Sequence, residues 1–142
     1  MCLRTKLSIK DKKAFLADKS EWIKVYKEID SFLEDKWKAA FISYFYYDSG
    51  LNICPKPKSK ISCGNAATQY TPYYHFYANR PKHIWNHRLI TCYVKKSWIS
   101  TIGKEGVSLS TVVVARKAIF PTYPHHYLTK EEKKEYGIIK CA

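Results

Sequence analysis

The sequence predicts a single α+β domain in which N-terminal helices pack on an antiparallel sheet and a short helix ends the fold. Three observations predict it: helical spacing of apolar residues before residue 40, short strand-forming runs between turn residues after it, and a capped helical segment near the C-terminus. The 142 residues suit one domain, and 46% apolar content is enough for a packed core. We therefore expect a helical part at about 8–40, a β-rich basic part at about 41–128 and a helix at about 129–136.

Two helices are expected in the N-terminal part. The first extends from Ser8 to Ala17, and the second begins after Ser20, a residue type that caps helices. The apolar residues of the second recur every three to four positions, as on one helix face: Trp22, Tyr26, Ile29, Leu33, Trp37 and Ala40. A strand at 22–29 is the alternative, because Trp, Ile, Val and Tyr favour strands. Alternation is poor there, and the periodicity favours the helix.

The central part is predicted to form strands joined by turns. The extended runs are 41–47, 51–54 as its hairpin partner, 88–95, 98–102 and 107–120. A turn at 48–50 and another at 104–106 separate them, residues 55–60 form a basic loop broken by prolines, and residues 64–81 are irregular. In the final helix, Thr129 is the N-cap, Glu132 completes a capping box and Gly137 ends the helix.

Positive charge is concentrated in the central part. Residues 51–128 contain eleven Lys and Arg but a single acid, Glu105, which accounts for ten of the thirteen excess positive charges. The same stretch holds all five histidines and eleven of the twenty-two aromatic residues. Charge of one sign repels itself, so such a concentration indicates an anionic partner, of which a phosphate-bearing molecule is the obvious candidate.

Aromatic rings alternate with cations and amides between residues 70 and 88, a pattern typical of surfaces that stack on bases and contact phosphate. We expect Tyr73, Tyr74, Tyr77, Trp85 and Trp98 to stack on a base. We expect Arg80, Lys82, Arg88, Lys95 and Lys96 to hold phosphate, with His83 and His87 as further phosphate contacts. The alternative is an aromatic-rich sheet edge whose cations are merely solvated.

Metal and catalytic chemistry are disfavoured. His83 and His87 would share one face of a helical turn, but no Cys or acid follows at a supporting spacing, so neither a metal nor a cofactor is expected. The five cysteines form no Cys-x-x-Cys pair and are interpreted as structural thiols. Gly-rich phosphate loops and hydrolase motifs are absent, and a phosphodiesterase built on His75, His125 or His126 remains an alternative.

Short segments resemble a group of small uncharacterised tailed-phage and prophage proteins. The segments are Met1-Cys2-Leu3, Val25-Tyr26-Lys27, Tyr46 to Gly50, and the strand pair from Cys92 through Ser108 to Val114. The resemblance implies a function in a bacterial cytoplasm and supplies no catalytic residues; it also favours a strand at Val25. The basic run at 55–60 and the His-rich segment at 75–87 depart from the group.

Location and partners follow from the same features. The N-terminal residues lack the apolar run of a signal peptide and no stretch is long enough to span a membrane, so a cytoplasmic protein without membrane contact is expected. The leading hypothesis is a non-enzymatic anti-defence protein that sequesters a nucleotide signal. The alternatives are a nucleic-acid-binding protein, an inhibitor of a host nucleic-acid enzyme, and a His-based phosphodiesterase. Exposed strand edges and abundant Tyr would also allow a homo-oligomer.

Overall fold

A computed structural model describes residues 3–32, 36–39, 46–54, 73–82, 88–105 and 110–140. The elements in chain order are β1 Leu3–Lys6, α1 Ile9–Ala17, β2 Trp22–Phe32, β3 Lys36–Ala39, β4 Tyr46–Asp48, β5 Gly50–Ile53, β6 Tyr74–Tyr77, β7 Arg88–Lys95, β8 Ile99–Glu105, β9 Thr111–Ala115, β10 Lys117–Phe120 and α2 Lys130–Glu135. A 3₁₀ turn at Lys96–Trp98 joins β7 to β8. The described chain therefore combines helix and strand, as the sequence predicts, and an antiparallel sheet dominates it.

The sheet is organised around β2. Its strand order is β1-β8-β9-β6-β2-β7-β10-β5, and β3 and β4 branch from it because β3 pairs with the end of β2. The β2–β7 ladder runs without a break from the Trp22–Lys95 pair to the Ile29–Arg88 pair. On its other edge, β2 meets β6 at Tyr26–Tyr77. The N-terminal end of β2 consequently lies beside the ends of both β6 and β7.

The predicted helix over residues 20–40 is wrong. Residues 22–32 form β2 and residues 36–39 form β3. Ile23, Val25 and Ile29 are buried in the core while Lys24 between them is exposed, which is the period of two that a strand requires. Ser20 is not an N-cap; its hydroxyl donates a hydrogen bond to the carbonyl of Trp22 at 2.6 Å. Cross-strand pairing with β7 outweighs the helical spacing of the apolar residues.

Several other predicted elements are found at or near their expected positions. Helix α1 lies inside the predicted 8–17 segment, and the Ser8 hydroxyl accepts from the Asp11 amide at 3.1 Å. The strand at 88–95 and the C-terminal helix with its Thr129 capping box are confirmed. The predicted strand at 107–120 is two strands broken at Arg116, whose amide donates to the Trp98 carbonyl at 2.9 Å.

Two further differences concern the hairpins. Residues 51–53 do not return along residues 46–48: β5 pairs with β10, and β4 pairs with β3. The predicted turn at 104–106 begins too early, because Lys104 and Glu105 belong to β8. The expectations for 41–45, the basic loop 55–60, most of 64–81 and residues 107–109 concern residues outside the described ranges.

The core lies on one face of β2 and β7, which we call the inner face and which carries Val25, Ile90 and Val94. Aromatic rings extend this core toward the branch: Tyr47 stacks on Phe120 with their ring centroids 4.3 Å apart. The opposite face, here the outer face, carries a smaller cluster of Tyr93, Ile119 and Leu128, covered in part by the residues that follow α2.

Among the described residues, the charged side chains of Lys27 and Glu28 are buried, and that of Lys27 points into the core. Lys27 is buried on the inner face of β2, and its ammonium donates a hydrogen bond to the His75 carbonyl at 2.7 Å. The same nitrogen lies 5.5 Å from the ring centroids of Tyr47 and Phe76. Burying a lysine costs free energy unless its charge is satisfied, and these contacts offset part of that cost.

Candidate ligand-binding surface

A cleft of about 350 Å³ opens at the N-terminal end of β2. One wall is the α1–β2 connection, and the other is the segment after β6. This second wall is held in place because Tyr77 pairs with Tyr26, so the residues that follow Tyr77 run beside the first half of β2. The side chains of interest that line the cleft are Phe15, Lys19, Trp22, Lys24, Tyr26 and Arg80.

The cleft is positively charged. Three cations line it, Lys19, Lys24 and Arg80, against one carboxylate, Asp18. The Lys19 ammonium lies 3.7 Å from Asp18 Oδ1, but the Asp18 side chain is 78% exposed, so water screens this pair. The same ammonium lies 5.0 Å from the Phe15 ring centroid. The cleft thus combines a formal excess of two positive charges with aromatic side chains, the combination that binds phosphate attached to a flat ring system.

A second group of cations and rings begins at Trp22. The Trp22 and Trp98 rings meet edge to face, with centroids 5.2 Å apart and planes at 88°. The Lys95 ammonium lies 5.2 Å from the Trp22 centroid and 5.7 Å from that of Trp98. The Lys117 ammonium lies 6.0 Å from the Trp98 centroid. We call these four residues the tryptophan–lysine group.

Strand register explains why the tryptophan–lysine group assembles. Trp22 pairs directly with Lys95, which places both side chains on the outer face. Strand β10 pairs with β7 at Ile119 and Tyr93. This register places Lys117 of β10 beside Lys95 of β7. The 3₁₀ turn after β7 carries Trp98, and the Lys96 amide anchors this turn by donating to the Glu21 carbonyl at 2.9 Å.

Four of the predicted site residues lie near this end of β2. Arg80 lines the cleft, and Lys95 and Trp98 belong to the tryptophan–lysine group. Lys96 is half-buried in the turn that adjoins the group. Lys82 is exposed two residues beyond Arg80. The structure therefore brings part of the predicted basic surface to one end of the sheet.

Of the three predicted tyrosines, Tyr74 and Tyr77 lie in the interior and Tyr73 is partly buried. Tyr74 is 4% exposed, and its ring contacts Tyr47 edge to face with centroids 5.0 Å apart. Burial raises the pKa of the Tyr74 hydroxyl well above its usual value. Tyr77 is 7% exposed in the β6–β9 ladder, and Tyr73 packs against the buried valines of β9. These rings support the fold around the cleft and do not line it.

Arg88 lies apart from Lys95 and Lys96. It begins β7 opposite Ile29, seven residues from Lys95, a separation of about 23 Å along an extended strand. An odd residue spacing also places it on the opposite face from Lys95. His83, Trp85 and His87 are outside the described residues.

Sequence reasoning missed Lys19, Trp22, Lys24 and Lys117. The first three lie in the N-terminal part, which is predicted to be helical and lies outside the stretch where positive charge is concentrated. The available signal was the alternation Trp22-Ile-Lys24-Val-Tyr26: in a strand, the aromatic and basic residues point to one face and the apolar residues to the other. Recognition of that strand would have extended the candidate surface to the N-terminal part.

The described residues provide little for covalent or metal chemistry. Cys54 and Cys92 are both buried, and burial raises the pKa of the Cys54 thiol to about 11 and that of Cys92 further still. Within the described ranges, no group of three His, Cys, Asp or Glu side chains could hold a metal ion. His125 and His126 are exposed in the turn region after β10 and are not among the residues that line the cleft.

Comparison with known proteins adds no family to this picture. In the part of the chain that the structure covers, neither helix is long and apolar enough to cross a membrane. The chain matches no family model, no curated protein and no solved structure.

Proposed function

We propose that this protein binds, without turning it over, a phosphate-bearing ligand that carries an aromatic base, and that the cleft beside β2 is the binding site. The resemblance of short segments to tailed-phage proteins makes a nucleotide signal of host defence a reasonable choice of ligand. The protein would then act by sequestration in the bacterial cytoplasm.

The observation that carries this proposal is the composition of the cleft. Lys19, Lys24 and Arg80 face one carboxylate, and aromatic residues line the same space. The Arg80 guanidinium can donate two parallel hydrogen bonds to a phosphate, whereas Lys24 acts as a point charge. Trp22 and Tyr26 offer rings on which a base could stack.

Calorimetry with cyclic dinucleotides, ADP-ribose and ATP tests the proposal. At least one of these ligands should bind, and Arg80→Gln should weaken it by roughly tenfold or more, because a hydrogen bond to a charged group contributes about 1.5–3 kcal/mol. Arg88→Gln is the matched control: it removes the same charge at the far end of the β2–β7 ladder, where Arg88 pairs with Ile29 and does not line the cleft. Binding should survive it unchanged.

Two outcomes would refute the proposal. The first is no heat with any ligand of the series, and the second is an equal loss of affinity in the Arg80 and Arg88 variants. Chromatography of the ligand after long incubation with the protein tests the absence of turnover. Hydrolysis that depends on His75, His125 or His126 would instead support a phosphodiesterase.

A further inference from the structure

We propose that the ligand of this site is a short single-stranded oligonucleotide, and that the tryptophan–lysine group forms a second subsite next to the cleft. This inference rests on the proposed function, because it extends the same site from one nucleotide to several. It assigns the cleft to one nucleotide of the chain and the group of Trp22, Trp98, Lys95 and Lys117 to the next ones.

Continuity of the surface is the first argument. Trp22 lines the cleft and also contacts Trp98, so the two sites share a wall. From Trp22 the surface continues across β7 at Lys95 and β10 at Lys117. Neighbouring strands are about 4.8 Å apart, so Lys117 lies roughly 10 Å beyond Trp22, on the side away from the cleft wall formed by Arg80. A surface of this length exceeds what one nucleotide needs.

The balance of charge along this surface is the second argument. Among the described residues, five cations of the cleft and the tryptophan–lysine group lie on it: Lys19, Lys24, Arg80, Lys95 and Lys117. The acids that face them are Asp18 beside Lys19 and Glu21, whose Oε1 lies 3.9 Å from the Lys95 ammonium. Both carboxylate side chains are more than 70% exposed, so their ion pairs with the lysines can be broken at a small cost in free energy when a polyanion binds.

The position of the lysines over the indole rings is the third argument. Lys95 lies over both tryptophans and Lys117 over Trp98. A cation held at an exposed ring contributes less free energy than a base stacked on an indole. A phosphate can therefore draw each ammonium off the ring, while a base takes its place on the exposed part of the indole. Stacking of this kind tolerates any base, so the inferred binding is independent of sequence.

Fluorescence anisotropy with labelled oligo-dT and oligo-rU of two, four and eight nucleotides tests the inference. Affinity should rise from the dinucleotide to the octamer, and log K should fall with log salt by about 0.7 for each phosphate contact. The Lys95→Gln/Lys117→Gln variant should lower that slope by about 1.4 for the octamer. Trp98→Ala should weaken the octamer about five- to 150-fold.

Controls separate this inference from the proposed function. The matched variant Lys130→Gln/Lys140→Gln removes two exposed lysines that neither line the cleft nor belong to the tryptophan–lysine group, and it should leave the slope unchanged. Equal affinity for a single nucleotide (dTMP or UMP) and for the octamer, with Arg80-dependent binding of both, would overturn the second subsite and leave the cleft function standing. An octamer slope unchanged in Lys95→Gln/Lys117→Gln would overturn it as well. Failure of every oligonucleotide, together with every small nucleotide, would overturn both.

Discussion

Replacement of Val25 by Ala tests the strand assignment on which the site depends. Val25 has no exposed surface, and it lies opposite the equally buried Cys92 in the β2–β7 ladder. The substitution removes two buried carbons, which corresponds to about 1.6 kcal/mol of transfer free energy. The cavity that remains adds to this cost, because a strand held between two neighbours can relax only in part. We expect the free energy of unfolding to fall by about 2–3 kcal/mol.

Urea unfolding followed by far-ultraviolet circular dichroism measures this loss. The midpoint should fall by roughly 1–2 M with an unchanged slope. Lys24→Ala is the control: the side chain next to Val25 is exposed, so its removal should change the free energy of unfolding by less than about 0.5 kcal/mol. Similar losses in both variants, or a larger loss for Lys24, would refute the alternation of β2 and with it the placement of Trp22 and Lys24 on one face.

Three further outcomes are expected. Burial acts to raise the pKa of Glu132, but hydrogen bonds from Thr129 and Thr122 outweigh it and lower that pKa. The stability that ionised Glu132 contributes is therefore present above pH of about 4.3 and is lost as the pH falls through the folded-state pKa. Glu132→Gln should consequently make the free energy of unfolding depend less steeply on pH at the acid end of a pH–stability curve. Gly50→Ala should lower the unfolding free energy by about 1–3 kcal/mol in thermal melts, since φ is +87° and a Cβ would collide with the Tyr136 hydroxyl. In a variant whose other three cysteines are serine, Cys54 and Cys92 should react with a thiol reagent at pH 8 far more slowly than in urea, because burial raises both pKa values.

The elements that the sequence predicts correctly are those whose signals lie within the element itself, whereas the pairing of distant strands is not predicted. Helices α1 and α2 and strand β7 carry local signals, namely Ser8 and Thr129 as caps and the β-branched run within 88–95, and each is found where expected. The pairing of β5 with β10 rather than β4 depends on residues more than sixty positions apart, which no local pattern reports.

Strand β2 was misread for a different physical reason. Both of its faces carry large apolar side chains: Ile23 and Val25 pack into the core, while Trp22 packs against Trp98 on the outer face. The contrast between alternate positions is therefore weak, and the remaining periodicity resembles a helix. Because a helix is predicted there, Trp22 and Lys24 are absent from the predicted binding residues, although both line the cleft.

The predicted binding residues divide by the same logic. Composition identified a basic and aromatic region but could not distinguish rings that fill the core from rings that face water. Tyr74 is enclosed by the branch of the sheet, whereas Trp98 is left half-buried at the edge of the outer face by a 3₁₀ turn. Only the three-dimensional arrangement separates these two cases.

The central position of β2 also affects how the chain emerges from a ribosome. Its longest ladder joins it to β7, and 59 to 73 residues separate the paired positions. At a translation rate of about 5–20 residues per second, roughly 3–15 s pass between the synthesis of β2 and that of its partner residues in β7. During this interval a strand with the sequence Trp22 to Ile29 is exposed to self-association, and Lys24, Lys27 and Glu28 provide the charges that discourage it. Lys27 is thus useful to the nascent chain before its burial in the finished domain.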